Sequence, residues 1–162
     1  MSSNVSQSRS GGALKGLVVD ALTIGDEIVA SLEGASQGDT FNETDLRYLT
    51  FIYDLERGLG DVSGSIIGPY QFSEIAWREA GEGDWRVNAI DPVRSARAAL
   101  KYRDLNYDRF RRLYPDRLYS NAIAYLYHNQ GPSGAAHFLS TGELRFPNQS
   151  KAALRLFETI KA

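Results

Sequence analysis

The chain has 162 residues, of which 43% are hydrophobic and 23% are charged, so it has the size of one globular domain and is not a disordered protein. It contains no cysteine, which excludes disulfides, thiolate metal sites and a cysteine nucleophile. The formal net charge is only −2, which excludes a strongly basic or acidic chain, but residues 94–117 alone carry eight basic and three acidic side chains.

The N-terminal part of the chain is predicted to lie outside the main domain. Residues 1–12 are rich in serine, which predicts a flexible tail, and they show no readable secretory signal. Apolar residues then recur at spacings of three and four, which predicts an amphipathic helical segment over 13–34. A turn-forming stretch follows, so the main domain is expected to cover 39–162. The segment 13–34 either docks on a protein partner or packs on its own domain.

The rest of the chain predicts one helix after another, with strand candidates only as short pieces within 62–72. The predicted helices cover residues 45–57, 73–80, 91–104, 106–114, 118–126, 134–139 and 150–160. Asp91 before Pro92, and Ser150 before the last apolar run, are typical helix N-caps. No stretch reaches the roughly 20 apolar residues that cross a bilayer. The sequence therefore predicts an all-α domain, or an α+β domain with a very small β element.

A basic block lies between residues 94 and 117, mostly within predicted helices. Its members are Arg94, Arg97, Lys101, Arg103, Arg109, Arg111, Arg112 and Arg117. Such a block either attracts a polyanion, such as nucleic acid or an anionic cell-wall polymer, or forms a solvated helix face. The interleaved acids Asp104, Asp108 and Asp116 favour the solvated face, so no nucleic-acid partner is expected.

Several common catalytic and metal-binding motifs are missing from the sequence. There is no Walker-type phosphate loop, and residues 131–135 lack the last glycine of a serine-nucleophile elbow. The two histidines, His128 and His137, are nine residues apart, a spacing that matches no zinc motif. No metal or cofactor is therefore expected, and any catalysis would depend on carboxylates.

Glu56 is the most distinctive carboxylate. On a helical wheel at about 100° per residue it falls between Leu49 and Ile52 on the apolar face. It also lies in the last helical turn, where the negative end of the helix dipole disfavours a charged carboxylate. Burial and the dipole both raise a carboxyl pKa, and a glutamic acid protonated near neutral pH can donate a proton to a glycosidic oxygen. The alternative is a solvated glutamate at a fraying helix end.

Two polar segments follow Glu56. Glycines punctuate the first segment, over 58–68, which leads into Gly-Pro-Tyr-Gln at 68–71. Glycine lets a backbone approach a ligand closely, and serine and glutamine supply neutral hydrogen-bonding groups that suit sugars. The second segment, Tyr-His-Asn-Gln-Gly-Pro at 127–132, ends an amphipathic helix.

The order of these features resembles the lysozyme-like lytic transglycosylases that cleave bacterial peptidoglycan. The resemblance covers about residues 44–132. The matched positions are Glu56 at the catalytic acid, Gly68 and Gln71 in the Gly-x-x-Gln turn, and Asn129 and Gly131 in the Asn-x-Gly turn. The chain differs from the family in three respects, since Arg57 replaces the usual serine, the loop before Gly68 is short, and His128 replaces an aromatic residue.

The resemblance implies a mechanism with one catalytic carboxyl. Glu56 protonates the oxygen between N-acetylmuramic acid and N-acetylglucosamine, and its carboxylate then takes the proton of the muramoyl 6-hydroxyl. The sugar closes as a 1,6-anhydro ring, so neither water nor a second carboxylate takes part. The residues expected along the glycan groove are Ser63, Ser65, Tyr70, Gln71, Tyr127 and Asn129.

Two alternatives stay open at this point. A muramidase of the same fold would add water, with Asp61 as the best second carboxylate. A catalytically inactive lysozyme-like component of a phage tail or secretion apparatus would use the scaffold for docking, with the segment 13–34 as the contact. The expected partner in the enzymatic case is the peptidoglycan glycan strand. Because no signal peptide is readable, we expect a virion-associated protein, or one delivered by a secretion machine, that acts in the cell wall or periplasm.

Overall fold

The computed structural model describes residues 41–56, 62–63 and 65–161. The predicted tail 1–12, the segment 13–34 and the boundary between that segment and the main domain lie outside the described residues. Within them, the secondary-structure elements are α1 (Glu43–Glu56), β1 (Val62–Ser63), β2 (Ile66–Ile67), β3 (Phe72–Ser73), α2 (Glu74–Ala80), α3 (Trp85–Asn88), α4 (Pro92–Leu113), α5 (Asn121–Thr141) and α6 (Lys151–Ile160). This confirms the predicted mostly helical fold with a very small β element.

The three strands form one small antiparallel sheet in the order β1-β2-β3. Ile67 is paired with Val62 on one side and with Phe72 on the other. Strands of two residues form too few inter-strand hydrogen bonds to be stable alone, so the sheet must be stabilised by packing. Phe72 provides this packing, because its buried ring contacts the rings of Trp77 and Tyr102 edge-on. The sheet therefore fixes the turn at 68–71 against the helices.

Helix α4 corrects one prediction from the sequence. Two helices were expected, over 91–104 and 106–114, but the structure has a single helix of 22 residues. No glycine or proline interrupts it at Asn106, which is buried on the inner face and accepts a hydrogen bond from Arg109 at 2.8 Å. The expected N-cap is confirmed, since the Asp91 side chain accepts a hydrogen bond from the backbone of Arg94 at 2.8 Å.

Helix α5 begins later than predicted and is kinked. Ser120 caps it by accepting a bond from the backbone of Ile123 at 3.2 Å, so Leu118 precedes the helix and is exposed instead of facing inward. Gly131, with φ 72° and ψ 167°, divides α5 into two helical segments. In α6 the Ser150 cap is confirmed, and Phe157 is buried as expected, but Leu154 is partly exposed.

Helices α4 and α5 form the centre of the packing. Helix α4 packs against α1, α2 and α5, and α5 also packs against α1 and α6. Helix α1 turns a buried stripe of Tyr48, Leu49 and Ile52 toward this centre, and Glu56 continues the stripe at the end of the helix. The fold therefore buries the carboxyl group of Glu56 where α1 meets α5.

All members of the basic block except Arg117 lie on α4, and two of them have a structural role. Arg103 pairs with Asp45 of α1 at 3.0 Å and with its neighbour Asp104 at 3.0 Å. Arg109 pairs with Glu79 of α2 at 2.5 Å. The pairs with Asp45 and Glu79 join α4 to α1 and α2. In the part of the chain that the structure describes, no helix combines the length and apolarity that crossing a membrane requires.

Candidate functional site

Glu56 is the last residue of α1 and is 3% exposed. It lies four residues after Ile52 and seven after Leu49, on the same buried side of α1, as the helical wheel predicts. Two side chains of α5 approach it: the Tyr125 hydroxyl donates a hydrogen bond to the carboxyl, and Asn129 Nδ2 lies 3.5 Å from Oε1. The prediction that Glu56 is buried is confirmed.

Burial is the main influence on the protonation of Glu56. It raises the pKa of the carboxyl from its ordinary 4.5 to about 7, because an ionised carboxylate loses most of its hydration in the core. The hydrogen bonds from Tyr125 and Asn129 favour the ionised form and lower the pKa, but by less than burial raises it. Near neutral pH, Glu56 therefore keeps a transferable proton and has two donors ready for the carboxylate that remains after transfer.

The raised pKa predicts a dependence of stability on pH. The unfolded carboxyl ionises near 4.5 and the folded one near 7, so the folded state holds the extra proton between these values. The stabilisation is complete below pH 4.5 and is lost as pH rises through 7, by about 3 kcal/mol in all. Urea unfolding of the wild type and of Glu56→Gln at pH 4 and pH 8 measures this loss. Between pH 4 and pH 8, the free energy of unfolding of the wild type should fall by this amount relative to that of the variant, which has no carboxyl at position 56. Equal differences at both pH values would contradict the raised pKa.

Asn129 lies at the end of the first segment of α5, two residues before the kink at Gly131. Its Nδ2 donates to Gln149 Oε1 at 2.8 Å and lies 3.3 Å from the Tyr125 hydroxyl. Its Oδ1 accepts a bond from Gln130 Nε2 at 2.7 Å. The site is thus built by α1, α5 and the segment between α5 and α6.

The two glutamines were not among the residues predicted from the sequence. Gln130 lies within the polar segment 127–132, so its neighbourhood was recognised but its own role was not. Gln149 lies in the segment that joins α5 to α6, next to the Ser150 cap, and 20 residues separate it from its partner Asn129. No sequence spacing connects these two positions, because only the folded chain brings them together.

The turn at 68–71 is held in an unusual backbone conformation. Gly68 and Gln71 both have positive φ, 84° and 51° respectively. The Gln71 backbone and side chain both donate to the Gly68 carbonyl, at 3.1 and 2.8 Å. The Gln71 Oε1 is buried and accepts no hydrogen bond within the described residues. The side chain of Gln71 therefore stabilises its own turn.

His128 connects this turn to α5. Its Nε2 lies 2.6 Å from the Tyr70 carbonyl oxygen, and its ring packs edge-on against Phe72 and Tyr102. Burial lowers the pKa of His128 to about 4, so the ring is neutral near pH 7 and its Nε2–H donates to the carbonyl. A histidine here thus packs as an aromatic residue and also tethers the turn 68–71 to the Asn129 segment.

The structure divides the other predicted groove residues into two groups. Tyr70 and Tyr127 are each 1% exposed; Tyr70 packs against Tyr53, and Tyr127 contacts Phe110 and Tyr119 in the core. Any glycan contact by these two rings would require them to move. Ser65 is exposed in the turn between β1 and β2, whereas Ser63 is described only as a position in β1, and Asp61 lies outside the described residues.

Glu56 is the one carboxylate that is buried among the described residues. Glu74 pairs with Arg78 at 3.1 Å along the exposed face of α2, and Glu79 pairs with Arg109 as described above. Within residues 41–56 and 65–161, His, Asp and Glu side chains form no cluster of three or more that could hold a metal ion.

The chain is similar to known proteins over its C-terminal part. Residues 58–161 match the family described as Peptidase U40, over a range that begins just after Glu56. The chain is also 35% identical to peptidoglycan hydrolase gp5 of Pseudomonas phage phi6, in an alignment that covers 57% of this chain and 44% of that protein. The chain thus spans less than half the length of this relative.

Proposed function

The chain belongs to the Peptidase U40 family, and from this premise we propose that it cleaves bacterial peptidoglycan, the substrate that the name of its phage relative states for that protein. We further propose that Glu56 is the general acid of a lytic transglycosylase reaction on the glycan strand. The observation that carries this proposal is a carboxyl that is 3% exposed, has a pKa of about 7 and has two neutral hydrogen-bond donors beside it.

The proposed chemistry needs one group that gives and then takes a proton. Glu56 donates its proton to the oxygen between N-acetylmuramic acid and N-acetylglucosamine as the bond from C1 to that oxygen breaks. The muramoyl O6 then attacks C1, and the Glu56 carboxylate takes the hydroxyl proton, so the enzyme returns to its starting state. Between the two steps, the Tyr125 hydroxyl and Asn129 Nδ2 stabilise the carboxylate.

The transglycosylase proposal fits a site in which Glu56 is the one buried carboxyl among the residues that the structure describes. A glycosidase that adds water generally uses a second carboxylate, about 6.5 to 9.5 Å away in inverting enzymes and about 5 to 5.5 Å away in retaining ones. Asp61 stays the candidate for that role in the muramidase alternative. The intramolecular attack of O6 removes the need for a second carboxylate.

A peptidase is the second candidate function, because the family is described by that activity. It would cleave the peptide cross-links of peptidoglycan and leave the glycan strands intact. The products of the two reactions differ chemically, so one digestion distinguishes them.

We expect the main products from purified peptidoglycan to be muropeptides that end in 1,6-anhydro-muramic acid. Because no water is added, each is lighter by one water than the corresponding lysozyme product. Mass spectrometry before and after borohydride reduction measures this, since anhydro ends are not reducible. Glu56→Gln protein serves as the control digest. Reducible muramic acid ends alone would indicate the muramidase instead, and intact glycan with new amino termini would indicate the peptidase.

The cell wall or periplasm is the proposed place of action, with the protein carried by a phage particle or delivered by a secretion machine. The phage origin of the relative supports this proposal. The segment 13–34 as a docking element and residues 39–162 as the catalytic domain stay predictions. A folded protein that leaves peptidoglycan uncleaved in every assay would favour the inactive docking component.

A further inference from the structure

The side-chain amide of Asn129 can adopt two orientations, related by a flip that exchanges its oxygen and its NH2 group. Only one of them presents a donor to Glu56. We propose that Gln149 is a positioning residue which, together with Gln130, fixes the Asn129 amide with its NH2 group toward Glu56. The proposal rests on the proposed function for its activity readout, but not for its direct readout at Glu56.

The contacts of Asn129 make this orientation the favourable one. Its Nδ2 faces an acceptor, Gln149 Oε1 at 2.8 Å, and its Oδ1 faces a donor, Gln130 Nε2 at 2.7 Å. Exchanging the two ends would set NH2 against NH2 and oxygen against oxygen. Two good hydrogen bonds would be replaced by two repulsive pairs in a partly buried place.

The two glutamines are in turn oriented by the backbone of Phe146, whose N–H and carbonyl group cannot exchange places as the two ends of a side-chain amide can. The N–H of Phe146 donates to Gln130 Oε1 at 2.9 Å, and the carbonyl of Phe146 accepts from Gln130 Nε2 at 3.0 Å. The same carbonyl accepts from Gln149 Nε2 at 2.9 Å, which leaves Gln149 Oε1 to face Asn129. The Phe146 backbone thus fixes the amides of Gln130 and Gln149. These two amides fix the Asn129 amide, which presents its NH2 group to Glu56.

Fixing the NH2 group matters for the chemistry because it favours the carboxylate that Glu56 becomes after it donates its proton. A reversed amide would present its oxygen and disfavour that carboxylate. Among the described residues, the titratable groups that face Glu56 are the hydroxyls of Tyr48 on α1 and Tyr125 on α5. Burial raises the pKa of both tyrosines, so neither changes charge near neutral pH. His128, next to Asn129 in sequence, titrates only near pH 4.

The test removes the acceptor of Gln149 in the full chain. Gln149→Met keeps a side chain of similar length, and Gln149→Ala is a second variant that adds no apolar atoms. Gln149 is only partly buried and Gln130 still holds Phe146 at both backbone groups, so both variants are expected to fold. Asn148→Ala is the matched control, because Asn148 is the exposed neighbour in the same segment.

We expect the Glu56 pKa, measured by carboxyl carbon NMR and assigned with Glu56→Gln, to rise by about half to one unit in both Gln149 variants and to stay unchanged in Asn148→Ala. The alkaline limb of the pH–activity profile should shift to higher pH by the same amount in both Gln149 variants. Their kcat should be lower and their KM unchanged. In an Asn129→Leu background, Gln149→Met should cause no further shift, because the amide that it orients is absent. If Gln149 had a merely structural role, its replacement would change neither the Glu56 pKa measured by NMR nor the position of the alkaline limb.

An unchanged Glu56 pKa in folded Gln149 variants would overturn the proposal, as would a shift that persists in the Asn129→Leu background. The NMR titration keeps this test separate from the proposed function. If Glu56→Gln were fully active, Glu56 would lose its catalytic role, while the titration of its carboxyl would still decide whether Gln149 orients Asn129.

Discussion

Replacing Glu56 by glutamine is expected to lower the rate of peptidoglycan cleavage by about 10²- to 10⁴-fold, the usual contribution of a general acid. The amide has nearly the same shape and can keep contacts with Tyr125 and Asn129, but it has no acidic proton to give. The variant is also expected to fold, since it removes a carboxyl whose ionisation in the core is unfavourable. Release of soluble muropeptides from purified peptidoglycan measures the loss.

Glu74→Gln is the matched control for this experiment. Glu74 lies on the exposed face of α2, where it pairs with Arg78 of the same helix, so the same chemical change there should leave cleavage at the wild-type rate. Near wild-type cleavage by Glu56→Gln would remove Glu56 as the acid. Asp61 and Glu79 would then be the carboxylates to test, because the Glu74→Gln control already tests Glu74.

Replacing Gly68 by alanine is expected to destabilise the protein by about 2 to 5 kcal/mol, the sum of left-handed backbone strain and a steric overlap. Its φ is +84°, and a Cβ atom there would lie 1.8 Å from the Ala89 carbonyl oxygen. That oxygen belongs to the backbone just after α3, so it cannot move aside without disturbing the buried Ala89. A typical domain is stable by only about 5 to 15 kcal/mol, so urea unfolding should show a large loss.

Gly131→Ala separates the two causes. Gly131 has a similar φ of +72°, but no heavy atom lies within 4 Å of the position its Cβ would take. Only backbone strain applies there, because φ 72° with ψ 167° is a conformation that essentially only glycine adopts, so the expected loss is about 1 to 3 kcal/mol. Equal losses for the two variants would show that the contact with Ala89 does not limit the turn at 68–71.

Local pattern was sufficient to predict the burial of Glu56. Helix α1 is amphipathic, and one buried stripe of Leu49 and Ile52 fixes which side of the helix turns inward. A residue four positions beyond Ile52 must lie on that side, whatever the helix packs against. The same kind of local rule predicted the caps at Asp91 and Ser150, because a cap is a contact between residues three apart.

Local pattern failed where the outcome depended on partners distant in sequence. The aromatic residue Tyr127 looked like a groove residue because of its neighbours in sequence, yet Phe110 and Tyr119 enclose it. A second helix was predicted to start at Asn106, yet this residue is buried on the inner face of α4, which continues through it. Propensity is a weak preference, and packing free energy overrides it.

The sequence by itself determined the helical character of the described residues, the short strand candidates within 62–72 and the inward side of Glu56, since these depend on periodicity and on interactions within a few residues. Only the tertiary structure decided which side chains meet the carboxyl. Tyr125 and Asn129 come from α5, and Gln149 comes from beyond it, held by the Phe146 backbone. Their hydrogen bonds depend on where α1 and α5 cross, and that crossing is set by the packing of the whole core, which no spacing along the chain records.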